Sequence, residues 1–168
     1  IGIPPASQVR SMEKDIAGNI WIGEENLSIY NPETGLVNYY LSTNANNITS
    51  FSMTQDILRR HNGNMLIGTR TQGAWEYPYV KESATKFNPA YRISFNHLRN
   101  KNINVLFEDS RHYVWMGTYG SGLYRCDLEK DEYIHYDQSN GLVHNTICGI
   151  LEDEKTGDIW VAALNGVS

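Results

Sequence analysis

The sequence has few of the residues that mark disulfide-rich, metal-binding or redox-active proteins. Its 168 residues include only two cysteines, Cys126 and Cys148. Two cysteines provide no disulfide framework, and their spacing of 22 residues matches no zinc-binding pattern. We expect both to be small, half-buried apolar side chains, with a single disulfide in an oxidising compartment as the alternative.

Long apolar runs and basic clusters are also missing. No stretch approaches the roughly 18 apolar residues of a membrane span, and the opening IGIPPASQVRSM has neither an initiator Met nor the apolar region of a signal peptide. The net charge is −5, and the largest basic block is the pair Arg59-Arg60. Nucleic-acid binding needs a basic surface that neutralises phosphates, so we do not expect it of this segment. We expect the chain to be a piece of a longer protein and to meet a membrane only through other parts of that protein.

Helical periodicity is absent too, and a repeated strand pattern takes its place. DIAGNIWIG (15–23) recurs as RHNGNMLIG (60–68), DSRHYVWMG (109–117) and EKTGDIWVA (154–162). The central anchor residues follow one another at steps of 45, 49 and 45: Trp21, Leu66, Trp115 and Trp160. Two positions further on stand Gly23, Gly68, Gly117 and Ala162. A fixed period of this length indicates a repeat architecture.

Each repeat predicts four short strands joined by tight turns. The first strands are expected at 9–15, 53–59, 103–109 and 147–153, the third at 27–31, 74–78 and 122–127, and the fourth at 36–40, 85–88 and 132–136. Four antiparallel strands in 45–50 residues are the pattern of one β-propeller blade. We therefore predict an all-β fold, a single partial propeller over residues 1–168 with about three and a half blades.

The predicted repeats are approximately 1–46, 47–97, 98–140 and an incomplete 141–168, which ends before its third strand. Open propellers expose unpaired blade faces and strand edges. The segment is therefore expected either to belong to a larger propeller or to complete a ring by association, for example as a homodimer.

The acidic and aromatic residues of the repeat have a structural interpretation. Asp15, Asp109 and Asp153 each begin a turn and are expected to accept hydrogen bonds from its backbone N–H groups. The anchor tryptophans are expected to wedge between blades. None of the five histidines forms an H-E-x-x-H motif or pairs with cysteine at zinc spacing, and no phosphate-binding glycine loop occurs. We therefore expect no catalytic residue, cofactor or metal ion in this segment.

A ligand is expected on the face where the linkers between blades meet the turns between second and third strands. Cationic, amide and aromatic side chains are suited to hold a hydroxylated or carboxylated sugar. The candidate ligand-binding residues are Arg70, Gln72, Trp75, Arg99, Tyr119, His144 and Asn145. Packing in the core is an alternative role for Trp75, and loop residues are commonly polar without a ligand. Arg59, Arg60 and His61 are expected on the opposite face.

The repeats resemble the two-component regulator propeller family. NINVLFEDSRHYVWMGTYGSGLYRCD (102–127) and NTICGILEDEKTGDIWVAALNGV (145–167) follow its order of Asn, apolar strand, Glu-Asp, turn, Trp-apolar-Gly and Gly-Leu. DIAGNIWIGEENLSIYNPETG (15–35) is similar as well. The second repeat departs most, because Leu66 replaces the Trp and Arg60 replaces the turn Asp.

This resemblance implies a periplasmic sensor region of a hybrid two-component histidine kinase in a Gram-negative bacterium. Such receptors often detect glycan breakdown products and control polysaccharide-use genes, with the kinase activity outside the propeller. The segment is then non-enzymatic, with an oligosaccharide or other small polar ligand and the remainder of its own propeller as partners. Two alternatives remain: a propeller lyase or hydrolase, for which Tyr119 and His144 are isolated candidates, and a structural propeller whose ligand is another protein.

Overall fold

The computed structural model describes residues 8–40, 53–79, 91–92 and 98–168. They form four antiparallel sheets in which the strand order in space follows the order in the chain. The first sheet contains β1 (Ser11–Lys14), β2 (Ile20–Gly23), β3 (Leu27–Tyr30) and β4 (Val37–Tyr40). The second contains β5 (Thr54–Arg59), β6 (Met65–Thr69), β7 (Ala74–Tyr77) and β8 (Tyr91–Arg92).

The third sheet contains β9 (Ile103–Glu108), β10 (Val114–Thr118), β11 (Leu123–Asp127) and β12 (Glu132–Tyr136). A short 3-10 helix, Gln138–Asn140, leads to the fourth sheet, with β13 (Ile147–Glu152), β14 (Ile159–Ala163) and β15 (Gly166–Val167). Within the described ranges no helix has the length and apolar character of a membrane span.

The predicted all-β fold of four-stranded blades is confirmed, with two differences in detail. The fourth sheet has a short third strand, because Gly166 and Val167 pair with the end of β14, where the sequence predicted none. The fourth strand predicted at 85–88 lies outside the described residues; the strand that pairs with β7 is Tyr91–Arg92.

Neighbouring sheets meet along their first strands. β5 packs against both β1 and β9, and β9 packs against β13. In a propeller the first strand of each blade is the one nearest the central axis. The four sheets are therefore arranged as consecutive blades.

The hydrophobic core lies between the sheets and not within any one of them. Trp21 of the first sheet packs edge-on against Tyr77 of the second, with ring centroids 5.6 Å apart. Trp115 of the third packs with Ile147 and Val161 of the fourth. The prediction that anchor tryptophans wedge between blades is confirmed at these two positions. Trp160 is 52% exposed, so the described residues do not bury it in this way.

The glycine two residues after the anchor is required by the close approach of the next sheet. A Cβ atom there would lie 2.6 Å from Thr54 at Gly23, 2.8 Å from Ile103 at Gly68 and 2.7 Å from Ile147 at Gly117. Real Cβ atoms do not come this near to another carbon, because protein interiors are already close-packed. The repeated glycine is therefore a spacing device between blades.

Both cysteines differ from the half-buried state expected from the sequence. Cys126 is fully buried in the core between the second and third sheets, whereas Cys148 is exposed, and both thiols are free. Burial raises the pKa of the Cys126 thiol to about 12, because an apolar environment disfavours the thiolate. Cys148 is exposed because it is the extra residue of a β-bulge in β13, between Ile147 and Gly149.

Candidate ligand-binding face

One face of the segment, called the linker face here, consists of the turns between second and third strands and the linkers between sheets. Its described parts are residues 24–26, 70–73, 98–102, 119–122 and 143–146. The first N–H of three turns donates to a linker carbonyl of its own sheet: Arg70 to Met53 at 3.0 Å, Tyr119 to Asn102 at 3.0 Å, and Leu164 to Thr146 at 3.0 Å. This recurring bond fixes each turn against the linker that precedes it.

Further bonds connect the turns to the linker of the following sheet. The Gly73 N–H donates to the Lys101 carbonyl at 3.1 Å, and the Gly122 N–H donates to the Asn145 carbonyl at 2.8 Å. Gly73 has a φ of 76°, and a Cβ atom there would lie 2.4 Å from the Leu98 carbonyl oxygen. The linker face is thus a continuous hydrogen-bonded surface across the second, third and fourth sheets.

The structure brings most of the candidate residues to this face. The side chains of Arg70, Arg99 and Tyr119 are exposed, the last of them by 65%. Gln72 is half-buried, and its N–H donates to the Thr69 hydroxyl at 3.0 Å. Lys101, two residues after Arg99, donates to Ser121, two residues after Tyr119, and so connects the segments that carry these two candidates.

Three candidates have structural roles. Trp75 is only 8% exposed and belongs to the core between the first and second sheets, the packing alternative noted for it from the sequence. Asn145 accepts the Gln138 N–H on its side-chain oxygen at 2.8 Å, while its carbonyl holds the Gly122 turn. Nδ1 of His144 accepts the Thr146 N–H at 2.9 Å, which folds the linker back on itself.

Three polar residues of this face were not singled out from the sequence. The Lys101 ammonium donates to the Ser121 hydroxyl at 3.2 Å and so links the linker before β9 to the turn between β10 and β11. Gln55 and Asn104 are the extra residues of β-bulges in β5 and β9. The Asn104 amide donates to the Ile147 carbonyl at 2.7 Å, and the Gln55 amide to the Asn102 side chain at 3.5 Å. A polar residue at the same place in an otherwise apolar strand was the available signal, since bulges redirect side chains.

The second and third sheets place three cations on the linker face of a chain whose net charge is −5: Arg70, Arg99 and Lys101. The first sheet places Glu24 and Glu25 on the same face, so the positive charge is confined to the part beyond the first sheet. Clustered cations raise the local concentration of anionic partners. The arrangement therefore suits a polar ligand with carboxylate or other acidic groups.

The opposite face, called the Asp-turn face, carries the turns between first and second strands: 15–19, 60–64, 109–113 and 153–158. Oδ1 of Asp15 accepts the Asn19 N–H at 2.8 Å, and its Oδ2 accepts the indole N–H of Trp21 at 2.9 Å. Asp109 makes the corresponding bond to the Trp115 indole at 2.8 Å. The predicted turn role of these aspartates is confirmed, and the indole bond adds the reason for keeping Asp and Trp six residues apart.

The second sheet uses a different set of contacts on the Asp-turn face. Arg60 occupies the place of the turn Asp, and it pairs with Glu76 at 2.7 Å and with Glu108 of the third sheet at 3.2 Å. The neighbouring His61 contacts the same Glu108 at 2.8 Å. The prediction that Arg60 and His61 lie away from the linker face is confirmed.

Asp56 joins three sheets at the level of the first strands. Its Oδ1 accepts the Ser11 hydroxyl at 2.8 Å, and its Oδ2 accepts the Leu106 N–H at 2.8 Å. Burial raises the pKa of this carboxyl, and the two hydrogen bonds lower it by less. Asp56 is therefore a packing residue that the low polarity of its surroundings biases toward the protonated form.

Comparison with known proteins supports a sensor propeller. Residues 97–120 match the family model described as Two component regulator propeller. The extracellular domain of the hybrid two component system BT3049 from Bacteroides thetaiotaomicron is 25% identical, with a TM-score of 0.75 over 95% of this chain and 21% of that one. The extracellular domain of a second hybrid system of that bacterium, BT4673, is 18% identical, with a TM-score of 0.51 over 99% of this chain and 28% of that one.

The same fold occurs in an enzyme. A catalytically inactive virginiamycin B lyase from Staphylococcus aureus, in complex with quinupristin, is 12% identical, with a TM-score of 0.65 over 94% of this chain and 49% of that one. No curated protein matches the chain in sequence. The chain spans less than half the length of each of these three structures.

Taken together, residues 97–120 are a two-component regulator propeller repeat, as the sequence predicted. The whole chain is a propeller segment that resembles the extracellular domains of hybrid two-component systems.

Proposed function

We propose that this propeller segment, which carries a two-component regulator repeat, is part of the periplasmic sensing region of a hybrid sensor histidine kinase. The observation that carries the proposal is the likeness to the BT3049 extracellular domain, at 25% identity and a TM-score of 0.75 over 95% of the chain. In this role the segment is non-enzymatic. The kinase activity and the membrane anchor belong to other parts of the receptor, whose output regulates polysaccharide-use genes.

We further assign ligand contact to the linker face, with an oligosaccharide as the ligand. The backbone bonds from Gly73 to Lys101 and from Gly122 to Asn145 hold this surface in place before a ligand arrives. A preorganised surface loses less conformational entropy on binding. Exposed Arg70 and Arg99 are suited to a uronate or another acidic sugar, because a guanidinium binds a carboxylate through two parallel hydrogen bonds.

Binding at this face would reach the receptor through the contacts between sheets. A ligand shifts a signalling equilibrium only if its affinity differs between the two states. Arg70 lies in a turn of the second sheet and Arg99 in the linker of the third, and the Gly73–Lys101 backbone bond of 3.1 Å joins the two segments, so a ligand that bridges both arginines would favour one relative position of the two blades. The remainder of the propeller, or a second copy of the receptor, would then respond to that position.

The test is ligand binding by the chain within its full-length receptor, measured by calorimetry against neutral and uronate-containing oligosaccharides. An Arg70→Ala/Arg99→Ala variant is expected to weaken acidic-sugar binding by roughly tenfold or more, since a hydrogen bond to a charged group is worth about 1.5–3 kcal/mol. The matched control is Arg111→Ala/Lys155→Ala, which removes the same charge from exposed positions on the Asp-turn face. Equal affinity in the two double variants would remove the linker face from the proposal.

Turnover measured on the same samples separates the sensor from the enzyme. Release of new reducing ends or unsaturated products, lost in a Tyr119→Phe or His144→Ala variant, would replace the sensor by a propeller lyase or hydrolase. Absence of any sugar binding, together with co-purification of a specific protein partner, would favour the structural propeller.

A further inference from the structure

A cluster of metal-ligating side chains lies on the Asp-turn face, away from the proposed ligand surface. His61 comes from the turn after β5, Glu108 ends β9, and His112 lies in the turn after β9. One ligand atom from each of the three side chains lies within 4.8 Å of the other two. Nδ1 of His61 is 2.8 Å from Oε1 of Glu108, and the two imidazole rings are stacked with centroids 3.6 Å apart. The cluster thus joins the second sheet to the third.

His112 occupies a backbone position that the other repeats fill with glycine. Its φ is 66°, and the corresponding residues are Gly18, Gly63 and Gly157, with φ of 89°, 88° and 73°. The N–H of each of these residues donates to the carbonyl of the residue that begins the turn. A non-glycine residue in this region costs about 1 kcal/mol or more. A side chain kept at such a position commonly has a functional reason.

The charged residues around the cluster include one more carboxylate than guanidinium, which permits an additional cation. Arg60 is shared between Glu76, at 2.7 Å, and Glu108, at 3.2 Å, so one guanidinium faces two carboxylates. If Glu108 turned one oxygen to a metal ion, Arg60 would keep its shorter bond to Glu76. Oε2 of Glu108 also accepts the His61 N–H at 2.6 Å, which anchors the carboxylate beside both imidazoles.

We propose that His61, Glu108 and His112 bind a zinc-class divalent cation that bridges the second and third blades. Two imidazoles and a carboxylate are a ligand set that Zn²⁺ accepts, with water in the fourth position. Tetrahedral bonds of about 2.0–2.1 Å place ligand atoms about 3.3 Å apart. The most widely separated pair of ligand atoms therefore needs to close by roughly 1.5 Å from 4.8 Å, while Nδ1 of His61 and Oε1 of Glu108, 2.8 Å apart, need to separate slightly. Both imidazoles belong to exposed residues on turns, so the rings are free to rotate out of the stack.

This site was not evident from the sequence, because Glu108 and His112 stand 47 and 51 positions after His61. His61 and Glu108 come together because Glu108, at the end of the first strand of the third sheet, contacts the turn between the first and second strands of the second sheet. The same contact recurs one sheet further on, where the Ser110 N–H donates to Glu152 at 2.7 Å. The histidines are the feature that distinguishes the junction of the second and third sheets.

The experiment titrates the untagged full chain with Zn²⁺ in competition with a chromophoric chelator. We expect saturable binding of one ion per chain. Binding should weaken as the pH is lowered, because protons compete with the metal ion for its ligands. His61→Ala and His112→Gly should each lower the affinity at least about tenfold. His112→Gly restores the glycine of the other repeats, so the variant should fold at least as well as the wild type.

The matched control is Asp131→Gly. Asp131 is also a non-glycine residue with positive φ, 58°, in the turn between β11 and β12, and it lies outside the cluster. The Asp131→Gly substitution relieves the same kind of backbone strain without removing a proposed metal ligand. The Zn²⁺ affinity of this variant should therefore equal that of the wild type. A Zn²⁺ excess of 100-fold over the dissociation constant should raise the wild-type melting temperature by about 5–10 °C.

Absence of saturable Zn²⁺ binding would overturn the proposal. So would an affinity that is unchanged in both His61→Ala and His112→Gly. A Glu108→Gln variant keeps an oxygen for the His61 N–H but loses the negative charge. Zn²⁺ affinity lost in this variant, with near-UV circular dichroism unchanged, would support the carboxylate as a ligand.

Discussion

The spacing glycines between blades lead to a quantitative prediction at Gly117. A Cβ atom at this position would lie 2.5 Å from Cγ1 of Val105, 2.7 Å from Cγ2 of Ile147 and 2.8 Å from Cβ of Ile147. Both neighbours are β-branched, and such side chains have one strongly preferred rotamer, so neither can turn aside without strain. Gly117→Ala should therefore push the third and fourth sheets apart.

The expected cost follows from two opposing contributions. Overpacking of a well-packed core costs about 1–3 kcal/mol, and the loss of unfolded-chain freedom on replacing glycine returns about 0.4–1 kcal/mol. We expect a net loss of about 1–2 kcal/mol, which corresponds to about 2–8 °C in melting temperature for a chain of this size. Urea unfolding followed by tryptophan fluorescence measures this difference directly.

Gly149→Ala provides the control for Gly117→Ala. Gly149 also lies in a strand, but a Cβ atom there would meet only Ala162, at an ordinary 3.7 Å. This variant should be as stable as the wild type or up to about 1 kcal/mol more stable. An unfolding free energy of Gly117→Ala within about 0.5 kcal/mol of the wild type, the scatter of neutral substitutions, would contradict a steric role for Gly117. Equal losses of stability in both variants would contradict it as well.

The remaining predictions concern the turn aspartates, the thiols and the carboxyl that joins three sheets. Asp109→Ala should lower the free energy of unfolding in urea by about 2–4 kcal/mol, because buried Asp109 accepts hydrogen bonds from two backbone N–H groups and an indole. Asp153→Ala, at a more open turn with two backbone donors, should lower it by about 1 kcal/mol or less. Equal losses in the two variants would contradict this difference. Cys148 should react with a thiol reagent in the native state while Cys126 reacts only after unfolding, and simultaneous modification would contradict the assigned burial. The raised pKa of Asp56 means that the folded state holds the carboxyl proton more tightly than the unfolded state. Its favourable contribution is therefore complete below the ordinary value of 3.8 and is lost as the pH rises through the folded-state pKa. The unfolding free energy of the wild type relative to Asp56→Asn should therefore fall as the pH is raised above 3.8, and a rise would refute the assignment.

The sequence was sufficient to predict the fold, because the repeat encodes contacts that recur from blade to blade, although not in all of them. Asp15 and Trp21 are six residues apart since one accepts the indole hydrogen of the other. Gly68 stands two residues after the anchor because β9, the first strand of the next sheet, approaches the backbone closely at this position. Such local requirements leave a period in the sequence, and the period is readable without a structure.

The functional surfaces were less predictable, because they depend on where the repeats differ. Trp75 looks like a ligand contact in a polar turn sequence, yet strand pairing directs it into the core. Lys101 was missed because its importance depends on a contact with Ser121, in the turn between β10 and β11. Contacts of this kind depend on how a linker and a turn meet in space, which the repeat pattern does not specify.

The position of Arg60 has a consequence for exchanging blades between propellers of this type. In the first and third sheets the turn Asp and the anchor Trp form one unit, whereas the second sheet has Arg60 with Leu66, which presents no indole hydrogen to be accepted. Changing Leu66 alone to Trp would supply an indole N–H without the turn Asp that accepts it in the first and third sheets. Transfer of this blade to another propeller would require Arg60, Leu66 and Glu76 to move together. The next blade of the recipient would also need a glutamate at the end of its first strand, in the position of Glu108. The boundary of a transferable module in this chain is therefore set by its ion pairs and reaches across the linker into the neighbouring blade.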